Sequence, residues 1–312
     1  MRIGIIDCGT NTFNLLIVET LEDEKWKVIF STKIVVKLAP SAIDNRIGIN
    51  RYARGIDALL IHRNVLSNFL VSKYFAFATS AIRDSANGSD FIQTAIELLG
   101  MPIEVIDGDQ EAQLIYEGVN LSMDLGDKPS LIMDIGGGSL EFIICDSKNV
   151  YWKTSLPLGV SRLKGKFRPS DPMTADEVDG LDRHIEELLE PLIQACLEHK
   201  PIQLIGSSGS FDSLIEVFSH KGELPSTYQE KGGSELDLET FKQFYDQLIE
   251  STLNQRLFIK GLVPMRADMI VIALILIRKT LSMTKIESMV HSPFALKEGA
   301  VRQVIRQMEG AE

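Results

Sequence analysis

The sequence predicts an α/β protein of two domains that repeat one plan, a βββαβαβα core, with a ligand cleft between the halves. Three observations lead there. One hairpin pattern occurs twice: an apolar strand ends in an aspartate, turns through small or polar residues, and leaves as a second apolar strand. The order of strands and helices around each copy is the same. The 312 residues suffice for about two domains, each with its own core.

The more telling copy is Leu131-Ile132-Met133-Asp134-Ile135-Gly136-Gly137-Gly138-Ser139-Leu140-Glu141-Phe142-Ile143-Ile144. Glycines let the backbone turn tightly and let main-chain N–H groups crowd around an anion. Two carboxylates, Asp134 and Glu141, beside such a nest would repel a bare phosphate, so the pattern makes sense with a divalent cation between them. The plainer reading is a hairpin with a glycine turn, but two-residue hairpins rarely need three glycines. The other copy runs from Ile3 to Val18 through Asp7-Cys8-Gly9-Thr10-Asn11-Thr12. Asp7 aligns with Asp134, Gly9 with Gly136 and Thr12 with Ser139.

Strands are expected at about 2–7, 12–20 and 26–38, then a helix near 50–70 on the spacing of Ile56, Leu59, Leu60, Val65 and Leu70. A strand at 73–78, a helix near 90–99, a strand at 102–106 and a helix from 109 to about 121 follow. Short apolar runs alternating with helices favour parallel crossover units. The polar, Gly- and Pro-containing stretch Ser122–Ser130 marks the boundary, giving domains 1–123 and 124–312. The second domain repeats the order with strands at 130–135, 139–146 and 149–157, a helix near 174–198, a strand at 202–206 and a helix from 209. Lys221–Ser234 reads as a polar excursion. Helices at roughly 238–249, 251–258 and 266–283, a strand at 286–290 and a helix at 294–308 complete the chain. That last helix is allowed to pack back on the first domain. Three meandering strands and then alternating helices and strands, twice over, is the order of the actin-like ATPase fold.

Composition bounds the chemistry. A net charge of −11 argues against general nucleic-acid binding, so positive charge for a polyanion must be local or come from a metal. Arg162, Lys164, Lys166 and Arg168 form one local cluster, read as a basic loop that is either solvated or, at Lys164, Lys166 and Arg168, a track for a polyanionic chain. The longest apolar run, Met269–Ile277, is too short to span a bilayer, and the N-terminal run is too short for a signal peptide. Cys8, Cys145 and Cys196 are odd in number and lack CxxC spacing, which points to a reducing cytoplasm. His62, His184, His199, His220 and His291 share no metal-ligand spacing and receive no role.

Several segments then resemble one family in order along the chain. Asp7-Cys-Gly-Thr-Asn-Thr-Phe-Asn-Leu-Leu-Ile resembles the Asp-x-Gly-Ser-Asn-Ser opening of the exopolyphosphatase/guanosine pentaphosphate phosphohydrolase (Ppx/GppA) family. Thr79-Ser80-Ala81-Ile82-Arg83 is similar to its Thr-Ser-Ala-x-Arg segment, and Gly108-Asp109-Gln110-Glu111-Ala112 to its Gly-x-Glu-Glu-Ala segment. Asp134–Glu141 resembles its second phosphate loop and Gly206-Ser207-Ser208-Gly209-Ser210 its third glycine-rich loop. Arg266-Ala267-Asp268 and Leu296-Lys297-Glu298-Gly299 fit two C-terminal segments. The departures are Gln110 for the first of two glutamates, Ala273 for a usual glycine and Lys297 for a usual arginine.

The resemblance implies the short, two-domain form of a ribonuclease H-like, actin-like hydrolase. It would release terminal phosphate from inorganic polyphosphate or from pppGpp, with Mg2+ or another divalent cation, and would have no membrane or nucleic-acid partner. A homodimer is one assembly the sequence allows. Glu111 would be the base that activates water, and its place in a helix's first turn, with Asp109 as N-cap, also suits an ionised carboxylate. Arg83, in a turn after a buried strand, would clamp phosphate, against a plain surface pair with Asp84 or Asp90. Asp134, Glu141 and Asp7 are the expected metal ligands. Gly9, Thr10, Asn11 and Thr12, then Gly136, Gly137, Gly138 and Ser139, then Ser208, Gly209 and Ser210 would hold phosphates through main-chain N–H groups. Arg266 could touch substrate or pair at a helix N-terminus. Two other readings stay open: an ATP-dependent small-molecule kinase on the same fold, and a non-catalytic nucleotide- or alarmone-binding regulator or scaffold.

Overall fold

The computed structural model describes residues 1–22, 25–222 and 232–309. The chain divides into two compact units, Met1–Gly118 together with the segment from Leu296, and Val119–Ala295. In the first, β1 (Arg2–Cys8), β2 (Thr12–Thr20) and β3 (Trp26–Val35) form an antiparallel meander. The helix α1 (Ile49–Asn68), β4 (Lys73–Ala78), the short α2 (Ser80–Arg83), α3 (Gly88–Leu99), β5 (Glu104–Val105) and α4 (Gly108–Ser122) follow. β4 and β5 join the sheet in parallel, giving the order β3-β2-β1-β4-β5. Ile6, Cys8, Phe13, Leu15 and Ile17 point to one face, where α1 and α3 bring Leu59, Leu66, Phe91 and Ala95. Ile3, Ile5, Leu16 and Val18 are buried too, so both faces are covered and β1 and β2 read as continuous apolar runs.

The second unit holds β6 (Ser130–Ile135), β7 (Leu140–Cys145) and β8 (Val150–Leu156), again antiparallel. Next come α5 (Val160–Phe167), α6 (Ala175–His199), β9 (Leu204–Ser207) and α7 (Ser208–Lys221). Then β10 (Ser234–Glu235), α8 (Leu238–Ile249), α9 (Leu253–Arg256), α10 (Ile270–Thr284) and β11 (Met289–His291) complete the unit. The sheet order is β10-β11-β9-β6-β7-β8. Apart from β10, it repeats the first sheet strand for strand, the two central strands of each sheet being parallel and the meander antiparallel. Its core joins Leu131, Met133 and Phe142 to α6 and to α10, whose residues Ile270 to Ile277 are all buried. The last helix, α11 (Leu296–Glu309), packs on β1 and β2, and Arg302 meets Glu117 of α4 at 3.1 Å. Among the described residues no helix is long and apolar enough to cross a membrane, and the three cysteines are free and buried.

The differences from the sequence reading have local causes. The third strand stops at Val35 rather than 38 because the N–H groups of Val36, Lys37 and Leu38 turn to the carbonyls of Asn11 and Thr10, with Lys37 at φ 48°. The basic stretch after β8 is the helix α5, not a loop. The two-residue strand β10 was not foreseen. The excursion expected at Lys221–Ser234 lies outside the described residues over 223–231. α10 starts at Ile270 instead of 266 because residues 264–269 form successive turns, with Arg266 N, Ala267 N and Met269 N donating to Val263 O, Pro264 O and Arg266 O, and a side chain claims one of the remaining carbonyls.

Arg256 is the residue that takes one of them. It is buried, and its Nε donates to Ala267 O at 2.7 Å, Nη1 to Ser251 O, and Nη2 to Asp171 Oδ1 at 2.6 Å. Three separate segments therefore depend on one guanidinium. Arg256→Leu leaves two buried carbonyls without a donor, and urea unfolding should show a loss of about 3 kcal/mol.

Candidate active site

The two hairpins superpose in register. Asp7 lies opposite Asn14 across β1 and β2, and Asp134 lies opposite Glu141 across β6 and β7. Both turns close alike, Gly9 N to Thr12 O and Gly136 N to Ser139 O, each at 3.1 Å. In both loops the carbonyls are held from behind. Thr10 O accepts from Leu38 N at 2.7 Å, and Asn11 O from Val36 N and Lys37 N. Gly136 O accepts from Val160 N at 3.1 Å, Gly137 O from Ser161 N and Arg162 N, and Gly138 O from Arg162 Nε at 2.7 Å. Across a trans peptide the C=O of one residue and the N–H of the next point opposite ways. Binding the carbonyls therefore turns the N–H groups of Asn11 and Thr12, and those of Gly137, Gly138 and Ser139, to the other side. That row of N–H groups is what an anion-binding nest requires.

Asp134 and Glu141 face each other with only 5% and 1% of their surface exposed. Like charges directly opposite on a sheet destabilise it, and burial raises the cost. Hydroxyls offset part of it: Ser207 Oγ and Ser208 Oγ each donate to Asp134 Oδ2 at 2.6 Å, and Ser155 Oγ donates to Glu141 Oε1 at 2.7 Å. Ser207 lies beside Asp134 because β9 runs parallel to β6 in that register. In Ser207, the N-cap of α7, the hydroxyl serves Asp134 and not the helix, so the first N–H groups of α7 lack a side-chain cap. Ser208 holds φ at 66°, a left-handed conformation uncommon outside glycine. The Arg266 guanidinium lies over this helix start, and a Cβ on Gly209 would fall 1.3 Å from its Nη2. Burial pushes the Arg266 pKa down, while Asp212, Glu216 and Asp134 oppose the fall.

The first unit supplies different groups. Glu111 enters the fourth position of α4 and is buried, with 6% of its surface exposed. The helix is capped by Asp107, not Asp109: Gln110 N donates to Asp107 Oδ1 at 2.8 Å, and Asp107 N donates back to Gln110 Oε1 at 3.0 Å. Gln110 thus completes a reciprocal capping box, a task its amide performs as a glutamate would. Arg83, at the end of α2, reaches Glu111 Oε2 and Ile106 O with Nη1, each at 3.0 Å, and Asp84 Oδ1 with Nε at 3.2 Å. Burial works against its charge, but Glu111 and then Asp84 outweigh it and raise its pKa. Thr10 Oγ1 and Ser80 Oγ, 3.2 Å apart, tie the first loop to α2.

The model of the Ppx/GppA phosphatase family matches residues 17–307. The chain belongs to the Ppx/GppA phosphatase family. It is 28% identical over 306 residues to exopolyphosphatase 1 of Mycobacterium tuberculosis, covering 96% of this chain and 87% of that protein. The crystal structure of an exopolyphosphatase from Cytophaga hutchinsonii matches with a TM-score of 0.93 and 35% identity over 98% of both chains. The Ppx/GppA family member of Aquifex aeolicus matches at 0.79 and 25% identity, over 98% of each chain. These likenesses establish a phosphatase with the two-domain, actin-like fold of that family.

Within this Ppx/GppA phosphatase the expected residues fall into separate groups. Arg83 and Glu111 meet directly, and Asp134, Glu141 and the third glycine loop share one corner of the second sheet. Asp7 instead accepts a hydrogen bond from Asn14 Nδ2 at 2.9 Å. Lys164, Lys166 and Arg168 form no single row, since positions two apart on a helix face different ways. Lys164 pairs with Asp268 at 3.0 Å, Lys166 lies 3.1 Å from His184 Nε2, and Arg168 ends α5 in the left-handed conformation. Sequence reading missed Asn14, Ser155 and Arg162 Nε. Asn14 had a signal: it stands seven residues after Asp7, as Glu141 stands seven after Asp134.

Gly159 fixes how closely α5 approaches the triple-glycine loop. A Cβ there would lie 2.4 Å from the Gly137 and Gly138 backbone. Gly159→Ala should push the loop off its position and lower phosphatase kcat/KM by about 100-fold, the scale of an ångström misplacement. Circular dichroism should show the fold retained.

Proposed function

We propose that this phosphatase releases terminal orthophosphate from inorganic polyphosphate, with pppGpp, whose chain end has the same chemistry, as the alternative substrate. The observation that carries this reading is the buried Glu111–Arg83 pair at the head of α4. A nucleotide-binding scaffold needs the nests alone. A hydrolase also needs a carboxylate that can take a proton from water and a cation beside it for the phosphoryl oxygens.

In this reading the hairpin N–H groups and the start of α7 bind the phosphate oxygens. Arg83 is drawn from Glu111 toward the terminal phosphoryl group, which carries more negative charge than one carboxylate. Glu111 then orients a water molecule, accepts its proton as the water oxygen bonds to phosphorus, and the bridging oxygen leaves with the shortened chain. Asp134 and Glu141 fit a hard divalent cation such as Mg2+: two adjacent carboxylates, oriented by hydroxyls and otherwise too costly to bury together. Among the described residues no group of three or more His, Cys, Asp or Glu could hold an ion by itself. Mg2+ keeps several waters and is held through one or two carboxylates together with substrate oxygens. Such a cation, held by Asp134 and Glu141, would supply charge neutralisation for the phosphoryl oxygens.

Glu111→Gln should reduce phosphate release by about 1,000-fold while tripolyphosphate still binds, as measured by phosphate assay and calorimetry. Near-normal turnover would remove Glu111 from the role of base. Chelation by EDTA should abolish release and Mg2+ should restore it. Release of phosphate from polyphosphate without any acceptor separates this reading from a kinase.

A further inference from the structure

His291 and Asp212 belong to no glycine loop and to no cation site, yet both are placed with care. β11 runs parallel to β9 with His291 opposite Gly206, and Ser292 N donates to Gly206 O at 2.8 Å. This anchors His291 behind the segment that becomes the third glycine loop. The imidazole is largely buried, and its Nε2 lies 3.0 Å from Asp212 Oδ1. Asp212 sits on α7 three residues after Gly209, and Glu216 four residues further, so the three share one helix face. Arg266 lies on that face, occupying the space a Gly209 side chain would need. The carboxylate one turn along the helix from the guanidinium is therefore the one His291 holds. The support that Arg266 draws from charge, against its burial, comes first from Asp212.

We propose that His291 and Asp212 are positioning residues for Arg266: the imidazole fixes the Asp212 carboxylate, and the charge of that carboxylate, one helical turn from Gly209, keeps the guanidinium over the start of α7, where it grips phosphates of the bound chain. The inference rests on the functional reading above, which assigns that helix start to phosphate. A guanidinium binds phosphate through two parallel N–H bonds and so depends on the orientation of its plane. Freed from His291, the carboxylate swings away, and its pull on the guanidinium weakens. The loss falls on substrate binding, because Arg266 lies in a different unit from Glu111 and Arg83.

The test measures steady-state phosphate release from polyphosphate, and tripolyphosphate affinity by calorimetry, in His291→Ala, His291→Gln, Asp212→Asn, Arg266→Ala and the His291→Ala/Arg266→Ala double variant. His291→Ala and Asp212→Asn should raise KM and weaken tripolyphosphate binding by about tenfold, with a smaller effect on kcat, and His291→Gln, which keeps a donor, should recover most of the loss. In the Arg266→Ala background His291→Ala should add nothing, since residues acting through one another are not additive. Asp212→Asn and His291→Gln carry the test if His291→Ala does not fold. Unchanged affinity in these variants, or additive losses in the double variant, overturns the proposal while the functional reading stands. A wild-type protein that neither binds tripolyphosphate nor releases phosphate from polyphosphate overturns both.

Discussion

Everything in the two hairpins follows from peptide planarity combined with the capture of loop carbonyls. A tight turn between two buried strands exposes several carbonyls and several N–H groups, and left alone these would point in mixed directions. Here the residues after β3 and the start of α5 take the carbonyls, one set for each loop. Planar trans peptides then aim the remaining N–H groups together. The row of N–H groups is thus set by the elements behind the loops, which explains why α5 must approach through a glycine.

The second constraint is electrostatic. Placing Asp134 and Glu141 opposite each other in a buried register is unfavourable for folding alone. Three serine hydroxyls from β8, β9 and α7 converge on the pair. The fold therefore keeps a costly dicarboxylate and spends nearby polar groups on orienting it, as expected where the carboxylates serve a ligand. Arg83 and Glu111 show the opposite economy, each neutralising the other.

Much of the fold was legible because the sheet residues alternate between two buried faces and so write long apolar runs. β1, β2, β6 and β7 could be read from those runs, and the duplication from the repeated Asp-x-Gly turn. Other features were hidden because they depend on contacts distant in sequence. α5 carries only Val160 and Leu163 as buried residues, too few for a periodic signal, while its basic residues suggested a loop. The start of α10 was misplaced because Arg256 claims the Ala267 carbonyl, which no local pattern announces. At the site, Glu111 and Arg83 were visible as residue types in a motif, but their ion pair was not. Asp109 is the cap expected when the helix is taken to start at 109, whereas Asp107 has the three-residue spacing to Gln110 that a capping box needs. His291 carried no signal at all: its meaning comes from the β9–β11 register.

Asn14 and Glu141 occupy equivalent places in two copies of one hairpin. A single amide in place of a carboxylate leaves the first hairpin with one formal negative charge and the second with two. An amide nitrogen donates, so Asn14 hydrogen-bonds Asp7 directly, whereas an ionised Glu141 can only accept, here from Ser155. The two copies are thus chemically non-equivalent: a shorter side chain ending in an amide stands in one where a longer side chain ending in a carboxylate stands in the other. In one hairpin the paired residues satisfy each other, and in the other the two carboxylates draw on hydroxyls from three further elements.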